Sequence, residues 1–189
     1  VSDGNVSASL NVNLTIEDID DTAPIITLLG DSNITHEAGS VYTDAGATWS
    51  DSVDGNGTAD ANGTVDENVP GTYEITYSFT DSSGNQASPV VREVQVLDTT
   101  GPVITLIGDK NVTHLAGLEY IDQGAVWSDL VDGNGTADAT GTVGVNVPGT
   151  YEITYSTMDD AGNFAVPVVR QVNVIDSESP VITLNGSIG

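Results

Sequence analysis

Asp51, Asp54 and Asp60 follow Trp49 in the run WSDSVDGNGTAD, and Asp129, Asp132 and Asp138 follow Trp127 in WSDLVDGNGTAD. Carboxylates set among small turn residues either cap turns by accepting backbone N–H groups or present oxygen to a hard cation. Calcium takes roughly six to eight oxygen ligands and tolerates irregular geometry. Neither run has the spacing of a helix–loop–helix calcium loop, so each needs further acids from elsewhere in the chain.

Other chemistries find no support. Cysteine is absent. His36 and His114 occur once per repeat, in the strand-like runs THEAG and THLAG, which suits an exposed or partly packed strand histidine better than a base or a zinc ligand. Paired acids could hydrolyse glycosides, but the same acids recur in both repeats, and an active site need not be copied. The sequence therefore predicts a protein that is not an enzyme. Lysine is missing from the first repeat and is represented only by Lys110 in the second. A repeating lysine cross-link is thereby excluded.

The 189 residues carry 28 acidic and three basic side chains, for a formal charge of −25. Nucleic acid and anionic membrane surfaces are unsuitable partners, because phosphate binding requires clustered lysine and arginine. Divalent cations or salt would relieve the self-repulsion. No apolar run is long enough to span a bilayer. Abundant Gly, Asn, Thr and Asp, with β-branched apolar residues, describe a strand-and-turn protein rather than a disordered acidic tail.

The elements that must position the acids are organised by a repeat. PIITLLGD, PVITLIGD and PVITLNGS begin at Pro24, Pro102 and Pro180, 78 residues apart each time. His36 and His114, Trp49 and Trp127, Tyr73 and Tyr151, and Arg92 and Arg170 correspond at that offset. Four segments are expected. Residues 1–21 form the last strand and linker of a preceding domain, 22–98 and 99–176 are two complete domains, and 177–189 is the first strand of a following domain.

Within a repeat, Ile25–Leu29, Asn33–His36, Ala45–Ser50, Gly63–Val65, Thr72–Thr80 and Val90–Leu97 read as strands, with Asp51–Asp60 as a turn. About seven short strands fit an all-β, immunoglobulin-like sandwich. Trp49 and Trp127 are expected in the core. One tyrosine of each pair, Tyr73 and Tyr77 or Tyr151 and Tyr155, is expected to use its hydroxyl as a tyrosine corner does. Tracing strand directions brings Asp51, Asp54 and Asp81 to one pole, where the incoming linker delivers Asp18, Asp20 and Asp21. At the second junction Asp98 meets Asp129, Asp132, Asp159 and Asp160. These eleven residues are the candidate calcium ligands. Terminal strands separated from their own domains could also pair with another copy of the chain.

PIITLLGD, YTDAGATWSDSVDGNGT, VPGTYEITYSFTDSSGN and VREVQVLDTTGPVITL resemble the tandem bacterial Ig-like repeats noted in a pesticidal crystal protein, and are similar to hyalin-type repeats. DGNVSASLNVNLTIEDIDDTAP resembles the end of a cadherin-like domain. That second resemblance implies calcium at Asp18, Asp20 and Asp21; the DTTGP linker departs from its pattern. Together they imply a stalk, spacer or filament-forming segment of an extracellular or cell-surface, adhesin-like protein, stiffened by calcium and partnered by neighbouring Ig-like domains. A glycan- or protein-binding module and an accessory region of a secreted enzyme are the alternatives.

Overall fold

The computed structural model describes Gly4, residues 19–183, Asn185 and Gly186. Of the last strand and linker expected over residues 1–21, residues 1–3 and 5–18, with the candidate ligand Asp18, lie outside the described residues. No helix occurs among those described. Seven strands form in each repeat: β1 (Ile25–Leu28), β2 (Asn33–Glu37), β3 (Ala47–Asp51), β4 (Gly55–Thr58), β5 (Asp60–Asn62), β6 (Gly71–Ser78) and β7 (Val90–Leu97), then β8 (Val103–Leu106), β9 (Asn111–Leu115), β10 (Ala125–Asp129), β11 (Gly133–Thr136), β12 (Asp138–Thr140), β13 (Gly149–Ser156) and β14 (Val168–Ile175). They build sheets of order β1-β3-β4 and β2-β7-β6-β5, and again β8-β10-β11 and β9-β14-β13-β12. The fold is all-β and Ig-like.

Contacts divide the chain into two compact units that cut across the sequence repeat. One comprises Val1–Ser32, Asp44–Gly63 and Glu74–Arg92, the other Asn33–Thr43, Thr64–Tyr73 and Glu93–Gly189. In the first unit Ile26, Ala47, Ala59, Ile75, Tyr77 and Ala87 are buried. In the second, Ile104, Ala125, Ile153, Tyr155, Ala165, Val172 and Val174 form one core cluster, with Trp127 and Tyr151 packed against it. A further cluster joins Ala38, Val94 and Val96. Period-two alternation explains the long strands: in β14 Arg170, Val172 and Val174 turn inward while Gln171 and Asn173 face out.

The first strand of a repeat is split. β8 pairs antiparallel with β10, and after a break β9 pairs in parallel with β14 on the other sheet. β1 and β2 repeat this, with β1 antiparallel to β3 and β2 parallel to β7.

Three details differ from the expectation. Asp51–Asp60 is not wholly turn: GNGT forms β4 and pairs with the tryptophan strand β3, Trp49 opposite Gly57. Residues 63–65 are not a strand, and the pairing strand is β5 just before them. Gly57 has no β propensity; its place is set by the indole above it. A Cβ there would lie 2.9 Å from the Trp49 ring, so only glycine lets β4 close under the tryptophan. Finally, Val181–Thr183 is not a strand. A strand of this type exists by pairing with a tryptophan-bearing strand, as β8 does with β10, and among the described residues none follows β14.

Candidate metal centres

Each acidic centre is built from a hairpin turn, a second turn and a linker. In the first unit, the Asp51 Oδ1 atom accepts the N–H groups of Val53 (2.7 Å) and Asp54 (3.0 Å). These bonds fold the β3–β4 turn and hold the Asp51 carboxyl below its usual range. Asp81 organises the DSSGN turn likewise. Its Oδ1 accepts from the N–H of Ser83 (3.0 Å) and of Asn85 (2.7 Å), and its Oδ2 from the Asn85 side-chain amide (2.9 Å). That same amide donates to the Asp20 carbonyl at 3.1 Å and so fastens the linker. Carboxylate oxygens of Asp20, Asp54 and Asp81 consequently lie within 4.8 Å of one another. Ser82 donates to Asp54 Oδ1 at 2.7 Å.

The second unit repeats the plan. Asp129 Oδ1 accepts from the N–H of Val131 (2.7 Å) and of Asp132 (3.1 Å). Asp159 accepts from the Asn163 backbone (2.7 Å) and side chain (2.9 Å), and Asn163 donates to the Asp98 carbonyl at 3.2 Å. Here the clustered oxygens belong to Asp98, Asp129 and Asp132. Burial, opposed by the Thr100 N–H and reinforced by the charges of Asp129, Asp159 and Asp132, pushes the Asp98 carboxyl up.

Of the candidate ligands, then, Asp20, Asp54, Asp81, Asp98, Asp129 and Asp132 converge. Asp51 and Asp159 serve chiefly as turn formers beside them. Asp21 and Asp160 are exposed and belong to neither cluster. The two oxygens of one residue differ: Asp51 Oδ1 is satisfied by its turn, whereas Asp51 Oδ2 is buried without a hydrogen-bond partner. The same is true of Asp20 Oδ2, Asp54 Oδ2, Asp98 Oδ2 and Asp132 Oδ2. Buried carboxylate oxygens without donors are costly. An all-oxygen set of this kind fits a hard divalent cation such as calcium, with carbonyls or water completing the shell.

A second polar centre was not anticipated. Arg170 is 1% exposed. It pairs with Asp122 and also donates to Tyr155 Oη (2.8 Å) and to the carbonyls of Asp109 (3.0 Å), Gly124 (3.2 Å) and Ile107. Ile107 and Asp109 lie where the chain crosses from β8 to β9, so the guanidinium satisfies carbonyls that leave one sheet before joining the next. Burial raises the Asp122 carboxyl, but hydrogen bonds from Tyr155 and Arg170 outweigh it and hold the group below its usual range. Arg92, Asp44, Tyr77, Leu29, Asp31 and Gly46 repeat the arrangement. Alternation along β7 turns Arg92 inward with Val94 and Val96; its partner, an acid 48 residues away in TDAG, carries no local sign of that role.

The remaining side chains are structural. Tyr73 donates to the Val69 carbonyl (2.9 Å) and Tyr151 to that of Val147 (2.8 Å), a bond to backbone just upstream as in a tyrosine corner. Trp49 stacks on Phe79 with ring centroids 3.9 Å apart. His36 and His114 pack edge-on against Tyr42 and Tyr120.

The family pattern described as "Bacterial surface protein, Ig-like domain" matches residues 26–96 and again 104–174. Internalin I of Listeria monocytogenes serovar 1/2a is 29% identical over 127 residues, covering 64% of this chain and 7% of that protein. Hyalin of Strongylocentrotus purpuratus is 27% identical over 192 residues, covering 95% of this chain and 16% of hyalin. The chain thus spans a small part of these relatives. Among solved structures, the lipoprotein BT2262 from Bacteroides thetaiotaomicron is similar at 15% identity and a TM-score of 0.35, over 78% of this chain and 100% of that one.

Proposed function

Because this chain belongs to the family of bacterial surface Ig-like domains, we propose that it is a non-enzymatic spacer of an extracellular stalk, stiffened by calcium where linkers meet the turns of the next repeat. The observation that carries this reading is the set of buried, unpartnered carboxylate oxygens. Asp20, Asp51 and Asp54 supply them in the first centre, Asp98 and Asp132 in the second. Asp20 and Asp98 lie in linkers; Asp54 and Asp132 lie in the β3–β4 and β10–β11 turns. A cation held by both kinds of residue fixes a linker against the repeat it leads into. Without the cation, like charges at short range favour separation.

Calcium titration tests this. At about one hundred times the dissociation constant, each site stabilises the fold by roughly 2.7 kcal/mol. The thermal midpoint rises, and small-angle scattering reports a longer, narrower distribution of dimensions. An unchanged midpoint and an unchanged scattering profile on moving from calcium to excess chelator would sink the proposal.

A further inference from the structure

We propose that Leu115, Leu118, Val145 and Ile175 form a docking surface for the tryptophan-hairpin loop of a further repeat of this kind. The inference rests on the chain being part of a tandem array.

The counterpart surface shows how such docking works. Glu37 ends β2, Ser40 lies in the turn after it, and Leu97 ends β7. Val131, in the hairpin loop of the second repeat, packs against the cluster of Ala38, Val94 and Val96. Its neighbour Leu130 comes so close that a Cβ on Gly39 would sit 3.1 Å from Leu130 Cβ. The linker is anchored by Glu37, which accepts hydrogen bonds from the Thr99 N–H (3.0 Å), the Thr99 hydroxyl and the Thr100 hydroxyl (2.6 Å).

The equivalent surface of the second repeat keeps the backbone and changes the side chains. Ala38 N–H donates to the Leu97 carbonyl and Gly39 N–H to that of Glu67, both at 2.8 Å; Ala116 donates to Ile175 and Gly117 to Val145, both at 2.9 Å. At the same offset Glu37 becomes Leu115, Ser40 becomes Leu118 and Glu67 becomes Val145. Leu115 and Ile175 are register partners. Leu115 is 43% exposed, Leu118 56% and Ile175 37%. Three polar-to-apolar changes fall together on one pole of an otherwise acidic chain, and contiguous apolar surface of this sort marks a contact site. Ser177 and Glu178 stand where Thr99 and Thr100 stand, so the hydroxyl pair and its glutamate anchor are lost together. The choice of occupant comes from register: PVITLNGS restarts the repeat pattern at Pro180, and the same motif at Pro102 is the one that leads to the hairpin loop of Leu130 and Val131 seated on the first surface.

The test uses two chains: the 189-residue chain, and one extended after Pro180 by a second copy of residues 103–189. Leu115→Glu with Leu118→Ser restores the residues of the first surface. In the 189-residue chain this double variant leaves the thermal midpoint unchanged or slightly raised. In the extended chain it lowers the midpoint by about 4–8 °C and broadens the scattering dimensions, and Leu118→Ser alone gives a smaller change of the same sign. An equal effect in both chains, whether none or a loss, overturns the docking surface. Should the unsubstituted extended chain still stiffen with calcium in that case, the stalk reading survives. If it does not stiffen, both fall.

Discussion

The Arg170 centre and the Asp98 centre, both in the second unit, solve one problem in opposite ways. Each takes carboxylates away from water. Around Arg170 the protein supplies its own counter-charge, and Asp122 receives a guanidinium and a phenol. Around Asp98 it supplies none: Asp129 and Asp132 face it, and the Asp98 carboxyl is pushed up by burial and by its neighbours. The first centre is neutralised on folding, whereas the second leaves its carboxylate charges facing one another. The difference separates charges paired within the fold from charges that the fold leaves unpaired with any cationic side chain.

Breaking the closed centre has the largest expected effect. Asp122→Ala strands a buried guanidinium and costs about 3–5 kcal/mol, by urea denaturation, with or without calcium. A loss that calcium restored would erase the distinction between the centres.

Next comes Asp98→Asn, whose sign depends on the metal. In chelator it removes a repelled carboxylate and raises the denaturation midpoint. In calcium it removes a ligand, and the calcium-dependent part of the stabilisation shrinks. Loss of stability in both conditions would mean that Asp98 is held by protein donors alone.

Acid sharpens the contrast further. The folded pKa of Asp122 is depressed, so its contribution is present above the unfolded carboxylate value and is lost as pH falls through the lower folded value. Urea midpoints measured in chelator should therefore decline on acidification, and Asp122→Asn should flatten that limb. Identical limbs would remove Asp122 from the acid response.

The smallest effect belongs to Asp160, exposed where the first centre has Ser82, a donor to Asp54. Asp160→Ser should slightly raise stability in chelator and slightly weaken calcium binding, making the second centre behave like the first. A calorimetric titration unchanged by the substitution would show that this position does not tune the site.

How much of this could be read from the chain varies with range. Alternation in TYEITYSFT and VVREVQVL is local, and the strands it marks, Thr72–Thr80 and Val90–Leu97, become β6 and β7. The junction acids were legible because strand directions alone bring linker and hairpin to one pole. That Asp20 joins the cluster while Asp21 remains exposed was not legible, since the choice is made by a side-chain amide 65 residues away that grips the Asp20 carbonyl. GNGT hid as a strand because its residues have no strand preference. They pair because a tryptophan across the ladder needs a flat neighbour. The arginine centres stayed hidden for a related reason: each arginine gathers its partners from three separated segments, and no local pattern marks such a meeting.

Two of the three basic side chains, Arg92 and Arg170, are sealed inside the fold, and Lys110 is exposed. Ion pairing between two copies of such an acidic surface needs cationic side chains on at least one face, and here almost all have been withdrawn from view. Any close approach of two such surfaces must therefore borrow its positive charge from the medium, so the ionic composition of the surroundings, rather than the chain itself, would decide whether they stand apart or meet.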